Sequence, residues 1–234
     1  MLFRSRTVQA IVIATVTGKC LVTLAASVTS YVPTDVAVFL SGSKMIFPRH
    51  RTITSDNTAK NFGDAYNAVV QQAFQEFDEI VVCNDDIVFM PYTWQALTED
   101  IARLKGENIP LGYVACRSDY VRGYQNVRIG NGEMSWFRFQ SEYSIIETDV
   151  IAPICAYIHK ESWIDFPSVD WYSDDIQCLD MRNAGKRHFI SRAYIHHVGS
   201  QTIGKNSKDL IESAKPWIKE NRPELYDLWF RKKD

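Results

Sequence analysis

Asn84-Asp85-Asp86 directly follows the apolar, β-branched run Ile80-Val81-Val82-Cys83, and it is the group best suited to hold a divalent cation. Hard oxygen ligands clustered in this way suit Mg²⁺ or Mn²⁺ shared with a phosphate. The apolar run fits a strand covered on both faces, as in the centre of a parallel sheet. Carboxylates placed where such a strand ends lie at the carboxyl edge of the sheet, where open α/β folds bind ligands. Alternation along a strand predicts Asn84 and Asp86 on one side and Asp85 on the other. Taken alone, an acidic turn closing a strand explains the same residues.

Three further groups could do chemistry. Asn57-Thr58-Ala59-Lys60-Asn61-Phe62-Gly63-Asp64 leads into a helical pattern that contains Asn67. Its glycine permits close approach of a ligand, and a helix N-terminus attracts anionic groups. A polar helix cap would look the same. Trp171-Tyr172-Ser173-Asp174-Asp175 places two carboxylates in a first helical turn, beside an aromatic pair able to stack on a sugar ring. Those carboxylates favour the helix dipole, and either could also serve as a general base for an acceptor hydroxyl. Tyr194-Ile195-His196-His197-Val198-Gly199-Ser200 closes a strand with two histidines, of which one at most should reach a given site.

The elements that must position these groups alternate. Strands are expected over 8–16, 35–40, 51–54, 80–84, 111–116, 150–159 and 188–196. Helices are expected over 19–28, 61–77, 92–105 and 173–184, with Ser173 as N-cap and Gly185 just past the last end. A polar, basic helical tail follows over 209–233. Residues 118–142 are polar and aromatic without a clear period and read as a loop excursion. Alternation of this kind predicts a mostly parallel sheet with helices on both faces.

Composition adds few constraints. The 234 residues are 46% hydrophobic and 23% charged, with a net charge of −2, which is ordinary for one globular domain. No global charge drives the chain toward nucleic acid or anionic membrane. Cys20, Cys83, Cys116, Cys155 and Cys178 are scattered, without a zinc spacing, and read as reduced thiols of a cytoplasmic protein. The basic start and apolar run at 8–16 resemble a signal peptide, but early Gln9 and the lack of a small-residue cleavage site favour a first core strand. No segment has the roughly 20 continuous apolar residues needed to span a bilayer.

In order, these motifs make the chain similar to GT-A-fold glycosyltransferases, in the broad family 2 group that includes rhamnosyltransferase-like enzymes. The similarity runs from the first strand through Asn61-Phe62-Gly63 with Asn67 and the aspartate triplet in the Asp-x-Asp role. It continues through the strand and turn at 150–163, the acidic pair before a helix ending Asn183-Ala184-Gly185, and His196-His197-Val198-Gly199-Ser200-Gln201-Thr202. The resemblance implies a single GT-A (Rossmann-like) α/β domain over 1–234. Residues 1–110 would form its nucleotide-binding half, 111–205 its acceptor and catalytic half, and 206–234 a helical tail.

It also implies roles. Asp86 and His196 would hold the Mn²⁺ or Mg²⁺ on the donor diphosphate, with Asn84 and Asp85 at the ribose or metal shell. Asp175, or Asp174, would be the base. Thr15, Lys60, Asn61 and Gly63 would border the donor, Lys205 would close over the diphosphate, and Trp171 and Tyr172 would meet the acceptor. The chain departs from the pattern at Ser41-Gly42-Ser43, where the family often has an acidic residue against the nucleobase, and in a helix from Asp174 one residue short. A metal beside the diphosphate would stabilise the leaving group, and a carboxylate opposite would deprotonate the acceptor, which implies direct displacement with inversion. The donor would be a UDP-, GDP- or dTDP-sugar. The acceptor would be a glycan, lipid-linked sugar, protein or modified nucleic acid.

Two rivals stand beside this reading. A nucleotidyltransferase would usually show a glycine-rich basic loop after the first strand, which Thr15-Val16-Thr17-Gly18-Lys19 is too short to supply. A non-catalytic carbohydrate-binding module could use Trp136, Phe137, Phe139, Trp171 and Tyr172, but would not need the aspartate triplet and a histidine together.

Overall fold

The computed structural model describes residues 8–128, 133, 144–199 and 207–231. Among these, a mixed sheet is flanked by six α-helices. Its first half is parallel: β3 (Thr52–Ser55), β2 (Ala37–Ser41), β1 (Ala10–Ala14) and β4 (Glu79–Cys83) lie side by side in that order. Then comes β8 (Cys155–His159), antiparallel to both β4 and β6 (Leu111–Ser118). Next, β9 (Arg187–His197) runs parallel to β6, while β5 (Ile87–Phe89) and β7 (Ile146–Thr148) pair antiparallel with β9.

Neither β5 nor β7 is evident in the sequence pattern. The strand expected over 80–84 is β4, and after a turn at Asp85-Asp86 the chain forms the further short strand β5. Because β8 is antiparallel to both neighbours, β1, β2, β4, β6 and β9 all point the same way. Their carboxyl ends share one edge.

Helices cover both faces. Helix α1 (Leu21–Tyr31) and α3 (Thr93–Gly106) bury Leu24, Val28, Leu97 and Ile101 against Ile11, Ile13, Val81 and Val114. On the other face, α2 (Phe62–Ala73) and α4 (Ser173–Asn183) bury Tyr66, Val69, Cys178 and Met181 against Val12, Phe39, Val82 and Tyr113. Burial on both faces explains why β1 and β4 carry consecutive rather than alternating apolar residues. The tail is two helices, α5 (Ser207–Asn221) and α6 (Pro223–Phe230), which pack Ala214, Ile218 and Leu225 with Val169 and Ile176. Arg222 fixes the tail to α4 by reaching both carboxylate oxygens of Asp180 at 2.9 Å. All five cysteines carry free thiols, and the Cys155 sulfur lies 3.9 Å from Cys83 and 3.6 Å from Cys116 across adjacent strands.

Candidate active site at the carboxyl edge of the sheet

At this edge the aspartate triplet does not alternate. Because Asp85 and Asp86 form a turn, the three side chains fan out. Asn84 Oδ1 faces the Tyr66 hydroxyl of α2 at 3.2 Å, and the same hydroxyl donates to the Cys83 carbonyl at 2.7 Å. Asp85 accepts a short hydrogen bond from Thr15 Oγ1 at the end of β1, and Thr15 Oγ1 accepts from the Gly18 N–H at 2.9 Å. Burial raises the Asp85 carboxyl above its ordinary range, partly offset by the Thr15 donor. Asp86 turns to the other side and meets β9, where its Oδ1 lies 3.0 Å from His197 Nε2. The backbone repeats the tie, since the Val198 N–H donates to the Asp86 carbonyl at 2.9 Å.

The histidine that meets Asp86 is therefore His197, which corrects the expectation of His196. The β5–β9 register pairs Ile87 with His197 and Val88 with His196, so adjacent side chains take opposite faces. His197 is 9% exposed. His196 lies on the outer side, with Nδ1 2.8 Å from Asp119 Oδ2. Asp119, just past β6, also accepts from the His197 N–H at 3.2 Å. These contacts hold its carboxyl below the usual range despite burial. His197 Nδ1 faces the Tyr120 carbonyl at 2.5 Å. Both ring nitrogens thus face oxygen acceptors, which favours the imidazolium: Asp86 and the Tyr120 carbonyl together raise the His197 pKa, outweighing the lowering by burial.

Asp86 and His197 are the residues here that would hold a divalent cation, once His197 has given up its Nε2 proton. An Nδ1–H donated to a carbonyl fixes the tautomer, and leaves the Nε2 lone pair aimed at the Asp86 carboxylate once the Nε2 proton leaves. One oxygen and one nitrogen ligand suit an ion that takes its remaining positions from a diphosphate. Among the described residues, no group of three or more His, Cys, Asp or Glu side chains could hold a metal by itself.

The second cluster is Asp174 and Asp175 in the first turn of α4. The Ser173 cap expected from the sequence is displaced by one: Tyr172, in the left-handed conformation at φ 66°, occupies the N-cap, and Ser173 begins the helix. Both carboxylates are gripped by Arg122, a residue without any local signal in the sequence. One Nη reaches Asp175 Oδ1 at 2.9 Å and Oδ2 at 2.7 Å, and the other reaches Asp174 Oδ2 at 2.7 Å. Burial pushes the Asp174 carboxyl up to about 6, with Arg122 opposing and the Asp175 charge adding to the rise. Arg122 lies three residues beyond Asp119, so one turn touches both clusters.

The Asn61–Asn67 segment is built into the fold beside the site. Asn61 caps α2, accepting from the Asp64 N–H at 2.9 Å, and the Phe62 N–H donates to Asp170 Oδ1 at 2.8 Å. A Cβ on Gly63 would lie 2.0 Å from the Pro167 carbonyl oxygen, so the glycine admits this chain's own backbone rather than a ligand. Asn67 then clamps Phe166 in both directions, donating to its carbonyl and accepting from its N–H, each at 2.8 Å. The segment anchors 166–170, which leads directly into Asp174 and Asp175.

Trp171 and Tyr172 are half-buried against the tail helices. Tyr172 stacks on Trp229 at 5.0 Å, and both residues pack into the α5–α6 cluster. The exposed rings near the site are Tyr120 (55%) and Tyr124 (62%), which flank Arg122. Tyr120 lies directly over Gly199, where a Cβ would meet the ring at 2.2 Å. Lys60 is exposed beside Asn61. Lys205, Trp136, Phe137, Phe139, Ser200, Gln201 and Thr202 lie outside the described residues.

No protein-family description and no curated protein sequence matches this chain. Solved structures do. TarS 1–349 of S. aureus superposes with a TM-score of 0.58 at 12% identity, over 91% of this chain and 65% of TarS 1–349. The complex of TarS 1–349 with UDP-GlcNAc gives 0.63 at 11% identity, over 89% and 65%. The chain thus spans just under two thirds of those structures. The likeness does not extend to a rhamnosyltransferase-like subgroup. It shows a GT-A fold, the single α/β architecture that the ordered motifs implied.

Proposed function

We propose that the chain transfers a sugar from a nucleotide-diphosphate donor to an acceptor hydroxyl. The observation that carries this reading is the pairing of two carboxylate clusters at one sheet edge. Asp86 with His197, and Asp174 with Asp175, are both tied to the turn that follows β6. The binding of UDP-GlcNAc by TarS makes that compound the first donor to test.

Asp86 and His197 are the residues that would hold Mn²⁺ or Mg²⁺, with Asn84-Asp85-Asp86 in the Asp-x-Asp role. A cation bound there supplies charge stabilisation for the departing diphosphate. Asp85 and Thr15 shape the donor side, Lys60 is an exposed cation for the phosphates, and Lys205 is assigned to them from the sequence pattern alone. On the acceptor side, one of Asp174 and Asp175 takes the proton of the attacking hydroxyl, on the face opposite the leaving group, which gives inversion. Tyr120 and Tyr124 offer the acceptor exposed aromatic faces. Five free thiols agree with a reducing, cytoplasmic setting, and no helix among the described residues is long and apolar enough to cross a membrane.

The test is calorimetric binding and release of free UDP, GDP or dTDP from the matching sugar donors, with and without Mn²⁺. Metal-dependent binding of one donor, with its slow hydrolysis, is the expected result. Absence of binding to every donor with metal present would remove the reading.

A further inference from the structure

Asp174 and Asp175 are consecutive on one helix turn, and each would repel the other if both were charged and unpaired. The structure resolves this with a single side chain from a different element. Arg122 spans the pair with a planar fork, taking both oxygens of Asp175 and one of Asp174. A guanidinium offers these donors in a rigid planar fork, whereas an ammonium is a compact point charge with three rotatable donors and fixes no such geometry.

The turn that carries Arg122 is pinned on every side. The Val127 N–H donates to the Ser118 carbonyl at 2.8 Å, and Asn126 Nδ2 donates to the Val121 carbonyl at 2.6 Å. Gln125 is buried and bridges β6 to the segment before β8, donating to the Cys116 and Ala152 carbonyls at 2.9 and 3.0 Å and accepting from the Ala152 N–H at 3.1 Å. At its start, Asp119 and Tyr120 hold the His196–His197 end of β9, and His197 holds Asp86. The guanidinium is therefore fixed relative to Asp86, and the carboxylates are fixed relative to the guanidinium.

We infer that Arg122 is a positioning residue: it sets the Asp174–Asp175 pair in a defined place relative to Asp86 and leaves the pair with one net negative charge. The other titratable groups around the pair are Cys178 on α4, Tyr113 on β6, and Tyr172 with Lys215 beyond it. Burial raises the Cys178 thiol, pushing it up to about 12, and raises Tyr113 well above its ordinary value. Both stay neutral through the acid range, and Lys215 is engaged by Glu212 at 2.6 Å. Arg122 is then the group whose removal changes the charge felt by the pair. This inference rests on the reading of the pair as the base, so its test separates the two.

The experiment is an NMR titration of the full chain labelled with ¹³C at the aspartate carboxyl, with Asp174 and Asp175 assigned through Asp174→Asn and Asp175→Asn. In Arg122→Gln, loss of the cation should move the pair's titration upward by about one pH unit or more. If Arg122→Gln does not fold, Arg122→Lys serves: it keeps a charge but loses the planar fork, so the pair's titration should still move from that of the wild type. An unchanged titration of both carboxylates in a folded variant overturns the inference. The acid limb of UDP-GlcNAc turnover with Mn²⁺ is read beside it. A titration that moves while the limb stays supports the clamp and removes the pair as the base. A limb and titration that both move support the two readings together.

Discussion

His197 Nε2 lies 3.0 Å from Asp86 Oδ1, across a sequence separation of 111 residues. The contact joins the turn after β4 to the last residue of β9, although β8 and β6 separate those two strands in the sheet. It is possible because β5 folds back from Asp86 and pairs with the end of β9. The short β5 strand is thus what makes the site: without it, Asp86 would face solvent at the strand end.

The first prediction follows from this geometry. Asp86→Ala and His197→Ala should each weaken Mn²⁺-dependent UDP binding by about 10-fold or more, because each removes one protein ligand. His196→Ala should change it far less, since its ring faces outward to Asp119. Titration calorimetry of UDP with Mn²⁺ on the three variants decides it. A larger loss in His196→Ala than in His197→Ala would contradict the assignment.

A second prediction concerns the anchor of 166–170. Asn67→Ala leaves the buried Phe166 N–H and C=O without their partner, at a cost of about 1–3 kcal/mol. Gly63→Ala drives a methyl into the Pro167 carbonyl, at about 3 kcal/mol. Both should appear as a lowered midpoint in chemical denaturation. If Gly63→Ala instead keeps wild-type stability and loses only donor affinity, the glycine belongs to the donor site after all.

Much of the fold was legible in the sequence, because strands buried on both faces leave unbroken apolar runs. Val12, Val38 and Val82 show this, and helical spacing at Ala65, Val69 and Ala73 did the same for α2. The aspartates that stand out in the sequence do so for different reasons, Asp86 because it follows the end of β4 and Asp174 because it opens a helix. The strand-end logic applied to Ser118-Asp119, at the end of the apolar β6, would have found Asp119 too. His197 was missed because strand parity says only that two histidines face apart, and the face is chosen by pairing with β5, a three-residue strand just past the aspartates. Arg122 has no local signal at all, since its partners lie 52 and 53 residues away. Tyr172 was read as sugar-stacking because nothing in its own sequence shows that Trp229 and Phe230 return to pack on its ring.

That covering gives a third prediction. Tyr172→Ala should lower thermal stability, by about 2–4 kcal/mol in unfolding free energy, because it removes a ring packed on Trp229 and Phe230. Trp229→Ala should do likewise. Tyr124→Ala, by contrast, removes a ring that is 62% exposed and should leave the unfolding midpoint within about 0.5 kcal/mol of wild type. Calorimetric melting separates the two classes, and a neutral Tyr172→Ala would return that ring to the acceptor surface.

The last prediction separates the two carboxylates. A general base works only as the carboxylate, so activity must be lost as pH falls through its pKa. Burial pushes Asp174 up to about 6, so a base at Asp174 gives half-maximal turnover near that pH and full turnover above it. Replacing the true base with Asn keeps the shape, removes the proton acceptor and should cut turnover by about 10²-fold, with donor affinity nearly intact. If Asp174 is the base, Asp174→Asn abolishes the acid limb in the residual activity, while Asp175→Asn retains it. If the roles are reversed, Asp175→Asn shows the larger loss in turnover and Asp174→Asn keeps an acid limb. A pH–rate series on the wild type and both variants decides between them, and wild-type rates in both Asn variants would remove this helix from the chemistry.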